Sequence, residues 1–270
     1  MATVSSLCVI GTGLIGTSVG LAARRAGIER VVGVDRDRGV ADAALAIGGF
    51  TELLDDVALA EVELVVVATP VTAAASILPS ILSDAVVTDV VSTKRTILRL
   101  ASEAGLGERF CGAHPMAGSD RSGPDAARAD LFDDAPCHLC PGEASAATVE
   151  RVTAFWQSLG CRTTTPMSAE AHDRLVARVS HLPHVTAVAL RTLLAGDHVH
   201  GGQGMADMTR IAGGDTELWL GILSDNADEV ADATEALAGA LQTFARHLRD
   251  GERDDIRHAL AAVQKHTAVE

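Results

Sequence analysis

The stretch "VSSLCVIGTGLIGTSVGLAARRAG", residues 4–27, indicates how the amino-terminal part of the chain folds. A β-branched apolar run leads through Gly11, Gly13 and Gly16 into a segment suited to a helix, which predicts a strand, a tight turn and a helix. Gly11 makes the turn, Gly13 lets the backbone approach a pyrophosphate, and Gly16 lets the helix pack closely on the strand. The N–H groups and the dipole at the start of that helix favour the negative charge of phosphates.

An acidic residue supports the same interpretation. The apolar run "RVVGVD", residues 30–35, ends in Asp35, which follows Gly13 by 22 residues. This is close to the spacing of a carboxylate that bonds the adenosine ribose of a dinucleotide. A glycine motif alone is weak evidence and Asp35 could start a polar turn, but motif, context and spacing agree independently. Because an acidic side chain repels a 2′-phosphate, NAD is favoured over NADP, although neighbouring Arg36 weakens that preference.

Two further runs, "ELVVVATPV" (63–71) and "AVVTDVVSTK" (85–94), are short and rich in β-branched residues. Such runs are typical of central parallel strands that are buried on both faces. Loops after parallel strands lie at the carboxyl edge of the sheet, where ligands bind. The residues expected to contact or approach the cofactor are Gly11, Gly13, Leu14, Ile15, Gly16, Asp35, Arg36, Thr69 and Pro70, with Ser92 nearby.

A histidine ends the next predicted strand, "RFCGAHP" (109–115), where Pro115 forces the chain out of regular structure. By the same edge rule, His114 would project toward the reactive end of the cofactor. A histidine has an unperturbed pKa near neutrality, so His114 can take a hydroxyl proton while a hydride leaves the same carbon. The alternative is a packed or exposed histidine that serves only a turn.

Composition narrows the functional classes. The chain has 36 acidic against 22 basic residues, and its aromatic residues are two Trp, five Phe and no Tyr. This balance disfavours binding to nucleic acid or to anionic lipid. Two uncharged runs, 5–23 and 64–83, are interrupted by glycines or prolines and suit neither a signal peptide nor a membrane span. We therefore expect a cytoplasmic protein that binds neither nucleic acid nor membrane.

Cysteine usage argues against a disulfide framework, because five cysteines are an odd number scattered over a chain without a secretion signal. The spacing of "CHLC", residues 137–140, could form half of a zinc site. No second ligand pair follows it in the sequence. We therefore predict no metal.

Five stretches in combination resemble one enzyme family. "GTGLIGTS", "DVVSTK", "GAHPMAGSDRSG", "SHLPH" and "DMTRIAGGDTELW" occur in the order and approximate spacing of the TyrA-type prephenate/arogenate dehydrogenases. The first motif is generic, whereas the later ones are specific in combination. The resemblance covers nearly the whole chain.

The resemblance implies an α/β Rossmann-type dinucleotide-binding domain followed by an all-α dimerisation domain, which we place at residues 1–167 and 168–270. The residues permit this layout, because strand signals vanish after "CRTTTPM" (161–167) and Ser168 suits a helix start. Apolar residues recur at helical spacing near the end of the chain, for example Leu237, Leu241, Phe244 and Leu248. The resemblance further implies a homodimer formed through the helical domain.

The family pattern also implies a substrate site. His114 is implied as the residue that bonds the ring hydroxyl and takes its proton, and Ser92 as a residue that orients that group. His184 is associated in the family with the keto acid of prephenate rather than the amino acid of arogenate. Gln203 stands where a further glycine is usual, which leaves the shape of that loop open. The implied substrate-binding residues are Ser119, Ser180, His181, His184, Asp207, Arg210 and Trp219, some of them supplied across the dimer.

The implied reaction is the NAD-dependent oxidative decarboxylation of prephenate in tyrosine biosynthesis. We also expect a monofunctional enzyme without an appended regulatory domain. Arogenate or 4-amino-4-deoxyprephenate could be the substrate instead. Other dehydrogenases with a Rossmann domain and helices usually rely on a lysine in the helical domain, and this chain contains only Lys94 and Lys265. A sensor that binds NAD without turnover, or a zinc protein built on Cys137 and Cys140, would be a non-enzymatic alternative.

Overall fold

The strands form one sheet that positions the candidate site at its carboxyl edge. The structure, a computed structural model, describes residues 4–119, 121–194 and 202–264. Its strands are β1 (Ser6–Ile10), β2 (Arg30–Val34), β3 (Glu52–Leu54), β4 (Leu64–Val67), β5 (Val86–Asp89), β6 (Phe110–Pro115), β7 (Pro136–Cys140) and β8 (Arg162–Thr163). The helices between them are α1 (Leu14–Arg25), α2 (Arg38–Ala46), α3 (Val71–Ile77), α4 (Arg95–Glu103) and α5 (Ala146–Ser158).

The strand order is β3-β2-β1-β4-β5-β6-β7-β8, and the strands from β3 to β6 run parallel. The order reverses direction between β1 and β4, and a crevice at such a switch point is where open α/β sheets bind ligands. Strand β7 is antiparallel to β6 and pairs His114 with His138. The predicted α/β Rossmann-type fold is therefore confirmed.

Apolar side chains cover both faces of the sheet, as expected for a parallel sheet with helices on each side. Leu7 and Val9 of β1 belong to one buried cluster, together with Trp156 of α5. Cys8 and Ile10, which alternate with them, belong to the cluster on the opposite face.

Two glycines, one in the loop after β1 and one in the first turn of α1, occupy positions that no larger residue fits. Gly11 has φ +97°, and a Cβ there would lie 2.6 Å from the Ala68 carbonyl oxygen. A Cβ on Gly16 would lie 1.8 Å from the Gly11 carbonyl oxygen, so helix α1 packs against its own loop. A Cβ on Gly13 would meet nothing within 4 Å. The loop is therefore tight on the protein side and open where a ligand could approach.

Within the described residues after 168, the regular elements are helical. They are α6 (Ala169–Val176), α7 (Leu182–Leu193), α8 (Gln203–Arg210), α9 (Thr216–Asp225), α10 (Ala227–Asp250) and α11 (Arg253–Gln264). Ser168 caps α6 by accepting a hydrogen bond from the Ala171 N–H at 3.2 Å. A π-helical turn, Ala177–His181, joins α6 to α7, whose second residue, Pro183, cannot donate a helical hydrogen bond.

The "CHLC" stretch forms strand β7 rather than half of a zinc site. Side chains three positions apart on a strand point to opposite faces, so Cys137 and Cys140 cannot converge on one ion. Both thiols are buried. Burial raises the pKa of Cys140 to about 12, which disfavours the thiolate that zinc requires.

No helix in the described ranges combines the length and the apolar composition needed to cross a membrane.

Replacing Gly16 with Ala places a methyl group against backbone that cannot move without disturbing β1. We expect Gly16→Ala to lower the free energy of unfolding by about 3 kcal/mol or more. The matched change Gly13→Ala meets open space and should alter it by less than about 0.5 kcal/mol. Chemical denaturation followed by circular dichroism measures both, and equal losses would contradict the packing role of Gly16.

Candidate active site

The first part of the site lies where β1, β2 and β4 end. Asp35 follows β2, and its carboxylate accepts hydrogen bonds from the Thr12 N–H at 2.6 Å and the Thr12 hydroxyl at 3.0 Å. These bonds hold the carboxylate beside the glycine loop, where the ribose of a dinucleotide would lie. Arg36 is exposed on the next position.

This edge also fits the anionic part of a dinucleotide. Helix α1 begins at Leu14 and Ile15 with no side-chain cap and no acidic residue in its first turn, so its N–H groups remain available to an anion. Thr69, after β4, has a buried hydroxyl without a hydrogen-bond partner in the described part of the chain. Pro70 is exposed and precedes α3. An orphaned hydroxyl beside an open glycine loop is consistent with a missing polar ligand.

His114 lies near the carboxyl end of β6, on the same edge of the sheet. Its side chain is 8% exposed, and the N–H of the preceding residue, Ala113, donates to the Asp89 carboxylate at 2.9 Å. Burial lowers the pKa of His114 well below the usual histidine value, and the Lys94 charge and the neighbouring histidines lower it further. The imidazole is therefore neutral near pH 7 and able to accept a proton.

A fully buried ion pair between Lys94 and Asp89 stabilises the end of β6. The Lys94 ammonium pairs with the Asp89 carboxylate and donates to the Val91 carbonyl at 2.6 Å. Both side chains are 0% exposed. Because Asp89 also binds the Ala113 amide, the pair fixes the backbone next to His114. Lys94 thus serves the architecture around the histidine and has a carboxylate partner of its own.

Helix α6 contributes two residues that sequence reasoning missed, His172 and Asp173. His172 Nε2 lies 3.0 Å from His114 Nδ1, and His172 Nδ1 lies 2.8 Å from the Asp173 carboxylate. Asp173 also accepts from the N–H groups of Lys94 at 2.7 Å and Arg95 at 3.0 Å. Burial alone would raise the pKa of Asp173, but the hydrogen bonds from His172 and these two amides outweigh it and lower the pKa.

The junction between α9 and α10 also binds the N-terminus of α4. Asp225 accepts hydrogen bonds from the hydroxyls of Thr93 and of Thr96, the latter at 2.6 Å. Asn226 is fully buried, donates to the Asp173 carbonyl at 2.8 Å and accepts from Arg95 at 2.8 Å. The helical part of the chain is therefore joined to the sheet through the N-terminus of α4.

Three of the predicted substrate residues lie together beyond this junction. The ring of His184 stacks on Trp219 with the ring centroids 3.5 Å apart, and His181 meets the same indole edge-on at 6.2 Å. Burial lowers the pKa of His181 to about 4 and also lowers that of His184. Trp219 thus lies beside His181 and His184 of the same chain.

The other predicted residues are more exposed. Ser92 is half-buried in the loop between Asp89 and Lys94, and Ser180 is half-buried in the π-helical turn. Ser119 is exposed and its hydroxyl accepts from the Arg121 N–H at 3.1 Å. Asp207 and Arg210 are exposed on α8, where Asp207 accepts from the Gln203 amide at 2.9 Å. In the described ranges, the hydrogen bonds and ring contacts given above for His114, His172, His181 and His184 include neither Asp207 nor Arg210.

Sequence models of one enzyme family match most of the chain. The nucleotide-binding domain of prephenate dehydrogenase matches residues 19–165, and the dimerization domain of prephenate dehydrogenase matches residues 168–262.

Individual relatives agree with this match. The cyclohexadienyl dehydrogenase of Zymomonas mobilis is 31% identical over 243 residues, which cover 84% of this chain and 83% of the relative. The crystal structure of prephenate dehydrogenase from A. aeolicus in complex with hydroxyphenyl propionate and NAD+ is 27% identical, with a TM-score of 0.90 and 98% of each chain covered. The Synechocystis arogenate dehydrogenase structure is 26% identical, with a TM-score of 0.82, covering 97% of this chain and 98% of its own.

Removing one partner of the buried ion pair should be costly. We expect Lys94→Met to lower the free energy of unfolding by about 3–5 kcal/mol, because it leaves the Asp89 carboxylate buried without its counter-charge. Arg99→Ala breaks an exposed pair with Glu103 and should cost about 0.5 kcal/mol or less. Urea denaturation of both variants gives the comparison, and a small loss for Lys94→Met would show that Asp89 does not depend on the ammonium.

Proposed function

The chain belongs to the prephenate dehydrogenase family of oxidoreductases, and from this premise we propose that it oxidises and decarboxylates prephenate with NAD+, giving 4-hydroxyphenylpyruvate and CO2. The observation that carries the proposal is the neutral, buried His114 at the sheet edge that also holds the glycine loop. A base beside a dinucleotide is what the oxidation of a ring alcohol requires.

The cofactor residues act through shape and charge. The open loop at Gly13 and the free N-terminus of α1 would receive the pyrophosphate, and Asp35 would bond the adenosine ribose. The carboxylate of Asp35 disfavours the additional phosphate of NADP. Gly11 and Gly16 shape the loop, Leu14 and Ile15 start the helix, and Arg36, Thr69 and Pro70 border the cleft. When bound, NAD+ supplies the acceptor for the hydride from ring C4.

His114 handles the proton of the C4 hydroxyl. The imidazole accepts that proton as the hydride leaves and C4 gains carbonyl character. Loss of the ring carboxylate as CO2 returns its electron pair to the ring, and the proton goes back to the oxygen as the phenol forms. Atoms and charge therefore balance without a further oxidant. Ser92 would orient the hydroxyl in this scheme.

The substrate is a dianion, and the residues proposed to hold it lie on the helical side. Arg210 would bind a carboxylate through its planar guanidinium, with Asp207 nearby. His184 would meet the keto acid side chain, which favours prephenate over arogenate. Its Nδ1 is buried and without a hydrogen-bond partner in the described part of the chain. Ser119, Ser180, His181 and Trp219 would complete the lining.

Arogenate is the second candidate substrate. The relatives named above include a cyclohexadienyl dehydrogenase and an arogenate dehydrogenase. The 4-amino-4-deoxyprephenate reaction would use the same residues. An assay that offers each ring acid with NAD and with NADP distinguishes these alternatives.

We also propose that the helical domain forms a homodimer, with the division between the domains at residues 167 and 168. Its family match is a dimerization domain. On α10, Leu241 is 61% exposed and Leu248 is 58% exposed, which leaves an apolar stripe in contact with solvent in the single chain. A second copy would cover such a stripe.

Replacing His114 tests the proposed chemistry. We expect His114→Asn to lower kcat about 10²- to 10⁴-fold while the dissociation constant for NAD stays close to that of the wild type. Absorbance of the reduced cofactor reports turnover, and calorimetry reports NAD binding. Because burial lowers the pKa of His114, wild-type activity should persist below pH 6.5 and fall only as the imidazole becomes protonated. His258→Asn, on an exposed position of α11, is the matched control. Normal turnover by His114→Asn would exclude the assigned role.

Disrupting the leucine stripe tests the dimer. The double variant Leu241→Arg and Leu248→Arg should elute from size-exclusion chromatography with the mass of one chain, because charges on both copies would meet in the interface. Leu82→Arg, at a position 73% exposed on the Rossmann side, should keep the dimeric mass. A dimer that survives the double variant would place the interface elsewhere.

A further inference from the structure

A continuous chain of hydrogen bonds runs from α6 to His114. Asp173 lies 2.8 Å from His172 Nδ1, and His172 Nε2 lies 3.0 Å from His114 Nδ1. His172 and Asp173 are both 0% exposed, and His114 is 8% exposed. Water is therefore excluded from this series of hydrogen bonds, and each polar atom in it depends on its neighbour for a partner.

The hydrogen bonds from Asp173 through His172 to His114 fix which nitrogen atom carries each proton. The Asp173 carboxylate can only accept, so the proton between it and His172 belongs to His172 Nδ1. Burial lowers the pKa of His172, which keeps its ring neutral, although the Asp173 hydrogen bond acts in the opposite direction. A neutral ring with its proton on Nδ1 has a bare Nε2. The hydrogen bond to His114 must then be donated by His114 Nδ1.

From this geometry we infer that His172 and Asp173 are positioning residues that hold His114 in its Nδ1–H tautomer. His114 Nε2 is then the ring nitrogen that accepts the substrate proton. The inference rests on the proposed function for the identity of that proton, while the tautomer itself depends only on the hydrogen-bond chain. A histidine in the opposite tautomer would present an N–H to the hydroxyl and could not act as its base.

The other titratable groups around His114 do not compete for its Nδ1. Lys94 comes from the loop after β5 and is paired with Asp89. His138, on β7, is directed to the Thr164 hydroxyl at 3.4 Å, and His181 is directed to Asn226 at 3.3 Å. His172 is thus the acceptor for His114 in the described part of the chain.

Asp173 is a poor position for the test, because its loss also removes the partner of two backbone amides at the start of α4 and could unfold the protein. His172 offers a matched pair instead. In His172→Asn, the amide can still donate to Asp173 but is too short to reach His114. In His172→Gln, the longer side chain can bring an acceptor to His114 Nδ1. The two variants therefore separate support of Asp173 from support of His114.

We expect His172→Asn to lower kcat about 100-fold with little change in KM, and His172→Gln to recover at least tenfold of that loss. His138→Asn removes a neighbouring ring that does not bond His114 and should leave kcat near the wild-type value. Equal kcat values for His172→Asn and the wild type would overturn the inference. So would a loss that appears in KM alone.

A second measurement needs neither substrate nor turnover. Long-range proton–nitrogen NMR of histidine-labelled protein shows which ring nitrogen of His114 is protonated, and His114→Asn assigns the signal. We expect protonated Nδ1 and bare Nε2 in the wild type. A protonated Nε2 would overturn the inference even if the enzyme is active. If NMR shows the expected tautomer but the protein turns over neither prephenate nor a related cyclohexadienyl acid, only the proposed function is refuted.

Discussion

The Asp173 carboxylate is the interaction on which the site depends. It belongs to the helical part of the chain, yet it binds the Lys94 and Arg95 amides at the start of α4 in the Rossmann part. Helix α4 has no side-chain cap of its own, so this carboxylate satisfies amides that would otherwise be buried and unpaired. The same carboxylate holds His172. The same arrangement therefore joins the two parts of the chain and orients His114, the proposed catalytic base.

The elements that could be predicted are those defined by residues close together in the sequence. Glycines at 11, 13 and 16 and β-branched runs define a strand, turn and helix through near neighbours, and the structure confirms those elements. Strand β7 was not predicted, because its pairing with β6 is not local in the sequence. The "CHLC" stretch forms a strand because it pairs with β6, where His138 lies opposite His114.

A candidate site residue could be predicted only where its own sequence neighbours indicated a role. His114 stood out because a proline follows it at a strand end, whereas His172 and Asp173 read as ordinary polar residues in the first turns of a helix. Their role comes from contacts with residues 58 and 79 positions away, which no spacing rule contains. A neighbouring His-Asp pair behind a well-formed helix start, "SAEAHD", was the signal available. Buried polar side chains of this kind need partners, and the partner cannot be named before the fold is known.

Burial of His114 has two opposite effects on the role proposed for it. It keeps the imidazole neutral and ready to accept a proton, but it also makes that proton weakly held, since the charged ring is disfavoured. A base of this kind cannot drive the reaction by its own affinity. In the proposed chemistry the driving force comes from aromatisation of the ring, and the proton is returned at the end, so a weak and well-placed acceptor suffices. The protein must then supply alignment. The buried series of hydrogen bonds from Asp173 through His172 to His114 supplies it, because the imidazole is already held in one orientation before the substrate binds.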